Sequence, residues 1–186
     1  MNLVRLLLAV LFAGLSLTTG TSVRAEAQVR VSTDGGRILV VAEINTHVDR
    51  ELAWQVLSDY GRWAEFIPDM QVSRVISAPG EPLRLEQRGQ IPWLPNLPLV
   101  MIVRVEETPP TSIEFLRVAG NVRTFVGEWR IVGRNRVRLV YRSLIEPGFA
   151  VPPEVSIEIF RHDAKMRMEA MAREMARRAA GEPRAR

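Results

Sequence analysis

The stretch PEVSIEIFRHDAKMRMEAMAREMARR, residues 153–178, decides the fold. On a wheel of 3.6 residues per turn, Ile157, Phe160, Ala164, Met168, Met171 and Met175 fall on one stripe, which predicts a long amphipathic helix. Pro152 and Pro153 mark its start, where a missing N–H costs nothing, and Glu154 suits the positive end of the helix dipole. Arg177 and Arg178 complement the last turn, and Gly181 then Pro183 end it. So apolar a stripe needs a surface to bury it. Between Arg37 and Pro147 the chain offers mainly one sheet.

Upstream, a short strand over Gln28–Asp34 and a longer one over Arg37–Asn45 flank the turn at Asp34-Gly35-Gly36. Asp49 is placed to cap a helix over Arg50–Leu57, and a second short helix runs from about Tyr60 to Phe66 before Pro68. Period-two patterning then predicts strands over Gln71–Ser77, Leu83–Gln90, Leu99–Glu107, Ser112–Val118, Val122–Val132 and Arg136–Ile145. In the strand from Val122, Phe125, Gly127, Trp129 and Ile131 oppose Glu128 and Arg130. In the last strand, Val137, Leu139, Tyr141 and Ser143 oppose Arg136, Arg138 and Arg142. One face is apolar and the other charged, the pattern of a half-buried antiparallel meander. The expectation is an α+β helix-grip fold. An antiparallel sheet of about seven strands wraps around the C-terminal helix, and two short helices follow the first long strand.

The run Ala53-Trp54-Gln55-Val56-Leu57-Ser58-Asp59-Tyr60-Gly61-Arg62-Trp63-Ala64-Glu65-Phe66-Ile67-Pro68 resembles the opening of the polyketide cyclase/dehydrase family. That family belongs to the START-like (SRPBCC, START/Bet v 1-like) superfamily, with lipid-transport and coenzyme Q-binding proteins. Val72-Ser73-Arg74-Val75, Gly120 with Phe125-Val126-Gly127-Glu128-Trp129-Arg130, Val140-Tyr141, Val151-Pro152-Pro153 and Arg161-His162-Asp163-Ala164 extend the likeness from about Ile38 to Arg178. It departs after Gly120, where relatives often carry an acid and an aromatic and this chain has Asn121 and Val122. The resemblance implies a cavity between sheet and helix. Its function ranges over ligand binding, lipid transfer, cyclisation and aromatisation.

Residues 1–25 read as a signal peptide: Arg5 supplies the basic end, Leu6 to Leu17 the apolar region, and Val23-Arg24-Ala25 and Ala25-Glu26-Ala27 offer cleavage sites; a retained anchor is the second reading, since twelve apolar residues are few to span a bilayer. Residues 26–180 form the domain and 181–186 a disordered tail, so export to the periplasm or medium is expected. No cysteine is present, hence no disulfide and no lipid-modified cysteine. Of 25 basic residues only Lys165 is lysine; without Arg5 and Arg24, 23 bases face 21 acids. These charges alternate along strands instead of massing, which argues against nucleic acid.

No nucleophile elbow, phosphate loop or dinucleotide fingerprint occurs, so no cofactor is called for. His47 and His162, without cysteine or clustered carboxylates, make a poor metal site. Asp59 and Asp69 flank the second short helix; they read as a paired acid or, more simply, as a cap and a turn residue. Tyr141 is placed either to polarise a carbonyl or to serve as a core tyrosine. No catalytic set is evident. The binding candidates are Trp54, Trp63, Phe66, Met101, Phe125, Gly127, Trp129, Tyr141, Phe160, Met168 and Met171. Met166, Met168, Met171 and Met175 add adaptable surface on the last helix. Phe125, Trp129, Tyr141, Phe160, Met168 and Met171 are expected to line an apolar cavity of a few hundred cubic ångströms. Residues 91–98, IPWLPNLP, read as an apolar loop in which Trp93 and Leu94 touch ligand or membrane, or as an irregular edge strand.

The leading expectation is thus an exported carrier of a lipophilic small molecule: a quinone, isoprenoid or lipid. The alternatives are a polyketide cyclase/aromatase-like enzyme and a protein-interaction module presenting the outer strand face. Polar groups converging deep in the cavity would favour the enzyme, a purely apolar lining the carrier. N-terminal sequencing of the protein from its own host is expected to find cleavage after Ala25 or Ala27; a mature chain beginning at Met1 in the cytoplasm would refute export.

Overall fold

The apolar stripe of the last helix finds its surface in a single eight-stranded sheet. The computed structural model describes residues 26–91, 94–148 and 152–182; residues 1–25, read above as a signal peptide, Trp93 and the expected tail at 183–186 lie outside them. In order the elements are β1 (Gln28–Asp34), β2 (Arg37–Asn45), α1 (Arg50–Leu57), a 3₁₀ helix (Tyr60–Glu65), β3 (Met70–Val75), β4 (Arg84–Ile91), β5 (Leu94–Thr108), β6 (Ser112–Gly120), β7 (Val122–Val132), β8 (Arg138–Pro147) and α2 (Pro153–Ala179). The strands lie in the order β1-β2-β8-β7-β6-β5-β4-β3, and every pairing is antiparallel. α1 and the 3₁₀ helix carry the chain from β2 to the far edge; the meander β3 to β8 then returns to pair with β2.

Two readings of the sequence are amended. The sheet has eight strands because the short β1 pairs along its whole length with β2, from Gln28↔Glu43 to Asp34↔Arg37. The expected loop at 91–98 is largely strand: β5 begins at Leu94, which pairs with Ile91, and the next pair is Gln90↔Pro98. The register slips there because Pro95 and Pro98 have no N–H to give to a ladder.

β2 turns Ile38, Val40, Ala42 and Ile44 inward, all 2% exposed or less. A register slip between Val122 and Thr124 puts Val122 on the same buried face as Phe125, Gly127, Trp129 and Ile131. Asn121 pins β5 to the next turn: its Oδ1 accepts from Val100 N (3.0 Å) and its Nδ2 donates to Pro98 O (2.5 Å). Asn121 is thus a backbone clamp. Gly120 beside it is obligatory, with φ +123° and Val100 O only 2.0 Å from where a Cβ would sit.

α1 starts at Asp49, whose Oδ1 accepts from Leu52 N at 2.8 Å, as a cap should. Asp59 does not cap the 3₁₀ helix; its Oδ2 instead accepts from Arg178 Nη2 at 2.7 Å. Arg178 Nε also donates to Glu174 (2.8 Å), as do Arg177 Nε (2.9 Å) and Nη2 (2.8 Å). This network ties the end of α2 to the 3₁₀ helix.

The Glu174 side chain is only 2% exposed. Burial pushes its carboxyl up, but the hydrogen bonds from Arg177 and Arg178 outweigh burial and hold it below its ordinary value of 4.5. A depressed carboxylate contributes stability that is complete above its unfolded value and disappears as pH falls through its folded value. Glu174→Gln is expected to cost about 2 kcal/mol at neutral pH, measured by urea unfolding. The variant should also lose less stability than the parent below about pH 4.5, because the titrating group is gone.

Candidate functional site

The backbone of α2 runs closest to β1, β2 and α1. Its first turns therefore stand over the other side of the sheet, and a cavity of about 60 Å³ lies beneath them. β4 and β5 line it with Gln87, Gln90, Ile91, Leu99 and Met101, and β7 and β8 with Val122, Phe125, Tyr141, Ile145 and Pro147. α2 closes it with Ile159, Phe160, Asp163 and Arg167. An adjoining hollow of about 30 Å³ shares Gln87, Gln90, Leu99, Met101, Asp163 and Arg167 and runs to Pro68, Asp69 and Met70.

Of the candidates named from the sequence, Met101, Phe125, Tyr141 and Phe160 meet in this lining. Trp129, Met168 and Met171 are 0–1% exposed and fill the core beside it, with the Trp129 ring centred 4.9 Å from that of Tyr141. Their bulk is why the space is smaller than expected. Trp63 is buried between Tyr60 (5.4 Å between centroids) and Phe115 (6.0 Å). Trp54 and Phe66 are half-buried against the core outside the lining. Gly127 acts indirectly. A Cβ there would meet Phe125 Cζ at 2.9 Å, so the Phe125 ring lies over the glycine.

The charged and amide residues of the lining were missed. Asp163 and Arg167 are one turn apart on α2, and Arg167 Nη2 donates to both carboxylate oxygens at 3.2 Å. The signal was partial: Arg167 stands beside Phe160 at the edge of the apolar stripe on the wheel rather than opposite it. Gln87 likewise alternates with Leu85 and Gly89 on the inner face of β4. Burial works against the charge of Arg167, but Asp163 and Tyr141 outweigh it and its pKa rises further. Burial also pushes the Tyr141 phenol up, against the opposing charge of Arg167, so Tyr141 is a hydrogen-bond donor at neutral pH. Arg167 Nε is buried and has no partner among the described residues, while the buried Ser143 hydroxyl hydrogen-bonds the Tyr141 phenol and works against the effect of burial on it. An orphan such as Arg167 Nε costs about 1–3 kcal/mol.

Other features stand apart. A shallow groove of about 440 Å³ runs between Asn45–Val48 and the alanine-rich outer side of α2 (Ala172, Ala176, Ala179), and His47 lies on its rim. His162 is exposed. Among the described residues no three His, Asp or Glu side chains gather as a metal site, and no helix is long and apolar enough to cross a membrane.

An antiparallel sheet gripping one long helix, with a partly open cavity between them, defines a helix-grip protein of the START/Bet v 1-like class. Residues 46–172 match the family described as polyketide cyclase / dehydrase and lipid transport. The chain belongs to that family. Among solved structures it is similar to the Zhui aromatase/cyclase from a Streptomyces species (17% identity, TM-score 0.66, 79% of this chain and 99% of that one). It is also similar to a START superfamily protein from Mycobacterium smegmatis (14%, 0.65, 75% and 97%). A third is a STAR-related lipid transfer protein fragment from Xanthomonas axonopodis (13%, 0.59, 80% and 98%). A comparison with curated proteins finds no match.

Gly127→Ala is expected to push the Phe125 ring into the cavity. Binding of a neutral lipophilic dye, N-phenylnaphthylamine, should weaken about tenfold at a stability cost of about 1 kcal/mol. Adding Phe125→Ala should restore it. Unchanged dye binding in Gly127→Ala would show that this cavity is not the dye's site.

Proposed function

We propose that this protein is an exported carrier that binds a lipophilic small molecule between sheet and α2, with a quinone (coenzyme Q type), isoprenoid or lipid as the ligand class. The observation that carries the reading is the lining itself. Ile91, Leu99, Met101, Val122, Phe125, Ile145 and Phe160 supply apolar walls, and the polar side chains are confined to Gln87, Gln90, Tyr141, Asp163 and Arg167. Binding sites for small organic molecules combine an apolar surround with few polar groups in this way. A space of about 60 Å³ holds about two waters, so a ligand of this class enters by parting the lining. Met101, Phe125 and Phe160 are the side chains placed to move. The sequence around Ile91 supports a further role for Trp93 and Leu94, a transient contact with the membrane from which such a ligand is drawn.

A second reading, a cyclase acting on a polyketide-like substrate, is favoured by the convergence of Tyr141, Arg167 and Asp163. Tyr141 and Arg167 are donors able to hold an enolate oxygen, and Asp163 is the one carboxylate among the lining residues. Against it, both oxygens of Asp163 already accept from Arg167, which weakens the carboxylate as a base.

Mass spectrometry of the organic extract of protein purified from its own host tests both. The carrier reading expects one apolar compound near stoichiometric amount, recovered chemically unchanged after rebinding. Turnover of a linear polyketone into a cyclised product would establish the enzyme instead. An empty protein whose Trp fluorescence no apolar probe shifts would defeat the carrier reading.

A further inference from the structure

We propose that the outer face of the sheet, away from α2 and its cavity, docks a second copy of this chain across one apolar row. Register assembles the row. Leu116 lies opposite Val126, Val126 opposite Leu144, and Leu144 opposite Leu39, so four apolar side chains stand side by side on β6, β7, β8 and β2. Neighbouring strands are about 4.8 Å apart, which makes the row about 14 Å long. Leu116, Val126 and Leu39 are 42%, 45% and 46% exposed, and Leu144 is half-buried. Beside Leu116 and Val126 a hollow of about 160 Å³ opens toward Arg104, Glu106 and Glu114. A contiguous apolar patch rimmed by charge is the mark of an interaction surface.

Charge names the occupant. The adjacent row on the same face reads Glu106, Glu114, Glu128, Arg142, Val41 and Arg30 across β5, β6, β7, β8, β2 and β1. Acids hold one half of it and arginines the other. Glu106 and Glu128 are paired within the chain, to Arg104 and Arg130, whereas Glu114, Arg142 and Arg30 have no ion pair among the described residues. A two-fold axis parallel to the strands, between β7 and β8, lays both rows back on themselves. Val126 then rests on Leu144 of the second copy and Leu116 faces its Leu39. Glu114 arrives over Val41 of that copy, between its Arg142 and Arg30. The face is self-complementary, as an isologous dimer requires. The sheet curves away from the centre of this contact, and the long arginine side chains span the widening gap. So narrow a crest gives a weak, reversible dimer. An anionic membrane is the poorer occupant, because Glu114 and Glu128 flank the row on one side and Glu146 on the other.

Sedimentation velocity tests this on the protein purified from its own host. From about 5 to about 500 μM it is expected to show a monomer–dimer equilibrium. Raising salt from about 0.05 to about 0.5 M should weaken that equilibrium about threefold. Val126→Lys should leave monomer at every concentration. Glu114→Arg and Arg142→Glu should each weaken self-association at least about tenfold, since each sets like charges against each other. Mixing those two variants should restore a dimer to within about threefold of the parent, because each chain then supplies the charge that the other lacks. All three positions lie on the outer face, and a melting curve checks each fold; should Val126→Lys be unfolded, the mixing experiment decides. A parent that stays monomeric throughout would overturn the proposal. If such a monomer then floated with anionic vesicles, and Val126→Lys abolished flotation, the row would belong to a membrane. A dimer that survives Val126→Lys and both charge reversals meets through another surface, which overturns the proposal equally.

Discussion

Everything in this structure depends on burying one stripe of α2. Ala164, Met168, Met171 and Met175 are each 2% exposed or less, although the helix around them is dense in charge. Burying a methionine side chain is worth about 1.5–3 kcal/mol, so the three methionines are among the largest contributions any one element makes. A single helix has no other way to hide them than a sheet that curves round it. The antiparallel order β1-β2-β8-β7-β6-β5-β4-β3 supplies that surface.

The same constraint produces the cavity. α2 is held at its C-terminal end by the Glu174, Arg177, Arg178 and Asp59 network and lies against β1, β2 and α1. Its first turns cannot also touch β4, β5, β7 and β8 closely, and the space left there is the candidate site. Trp129, Met168 and Met171 close one side of that space. Gly127 gives the Phe125 ring room to lie back from it. The site is therefore a remainder of the packing, and its size is set by a few side chains able to shift.

Inside this remainder the chain keeps groups that a plain core would not tolerate. A half-buried ion pair, a buried phenol and an unpartnered Arg167 Nε sit where apolar side chains would pack without that cost. Sequences that retain such a cost usually do so for function. The fold is shared by proteins described as an aromatase/cyclase and as a lipid transfer protein, so it is these side chains and not the fold that separate one role from another.

What the sequence determined by itself was periodicity, and with it the architecture. The 3.6-residue stripe of α2, the period-two alternation after Pro68 and the Asp49 cap act between near neighbours in the chain, so the elements and the helix-grip arrangement were legible, as were Met101, Phe125, Tyr141 and Phe160 as inward-facing. Tertiary structure alone decided the rest. Whether Trp129, Met168 and Met171 face a void or fill it depends on where α2 rests across the sheet. Whether Arg167 points to water or inward depends on the phase of the helix against β8. The strand at Leu94 depends on a partner at Ile91, and the fate of Asp59 on an arginine 119 positions away. Distances between elements are set by packing, which no local pattern encodes.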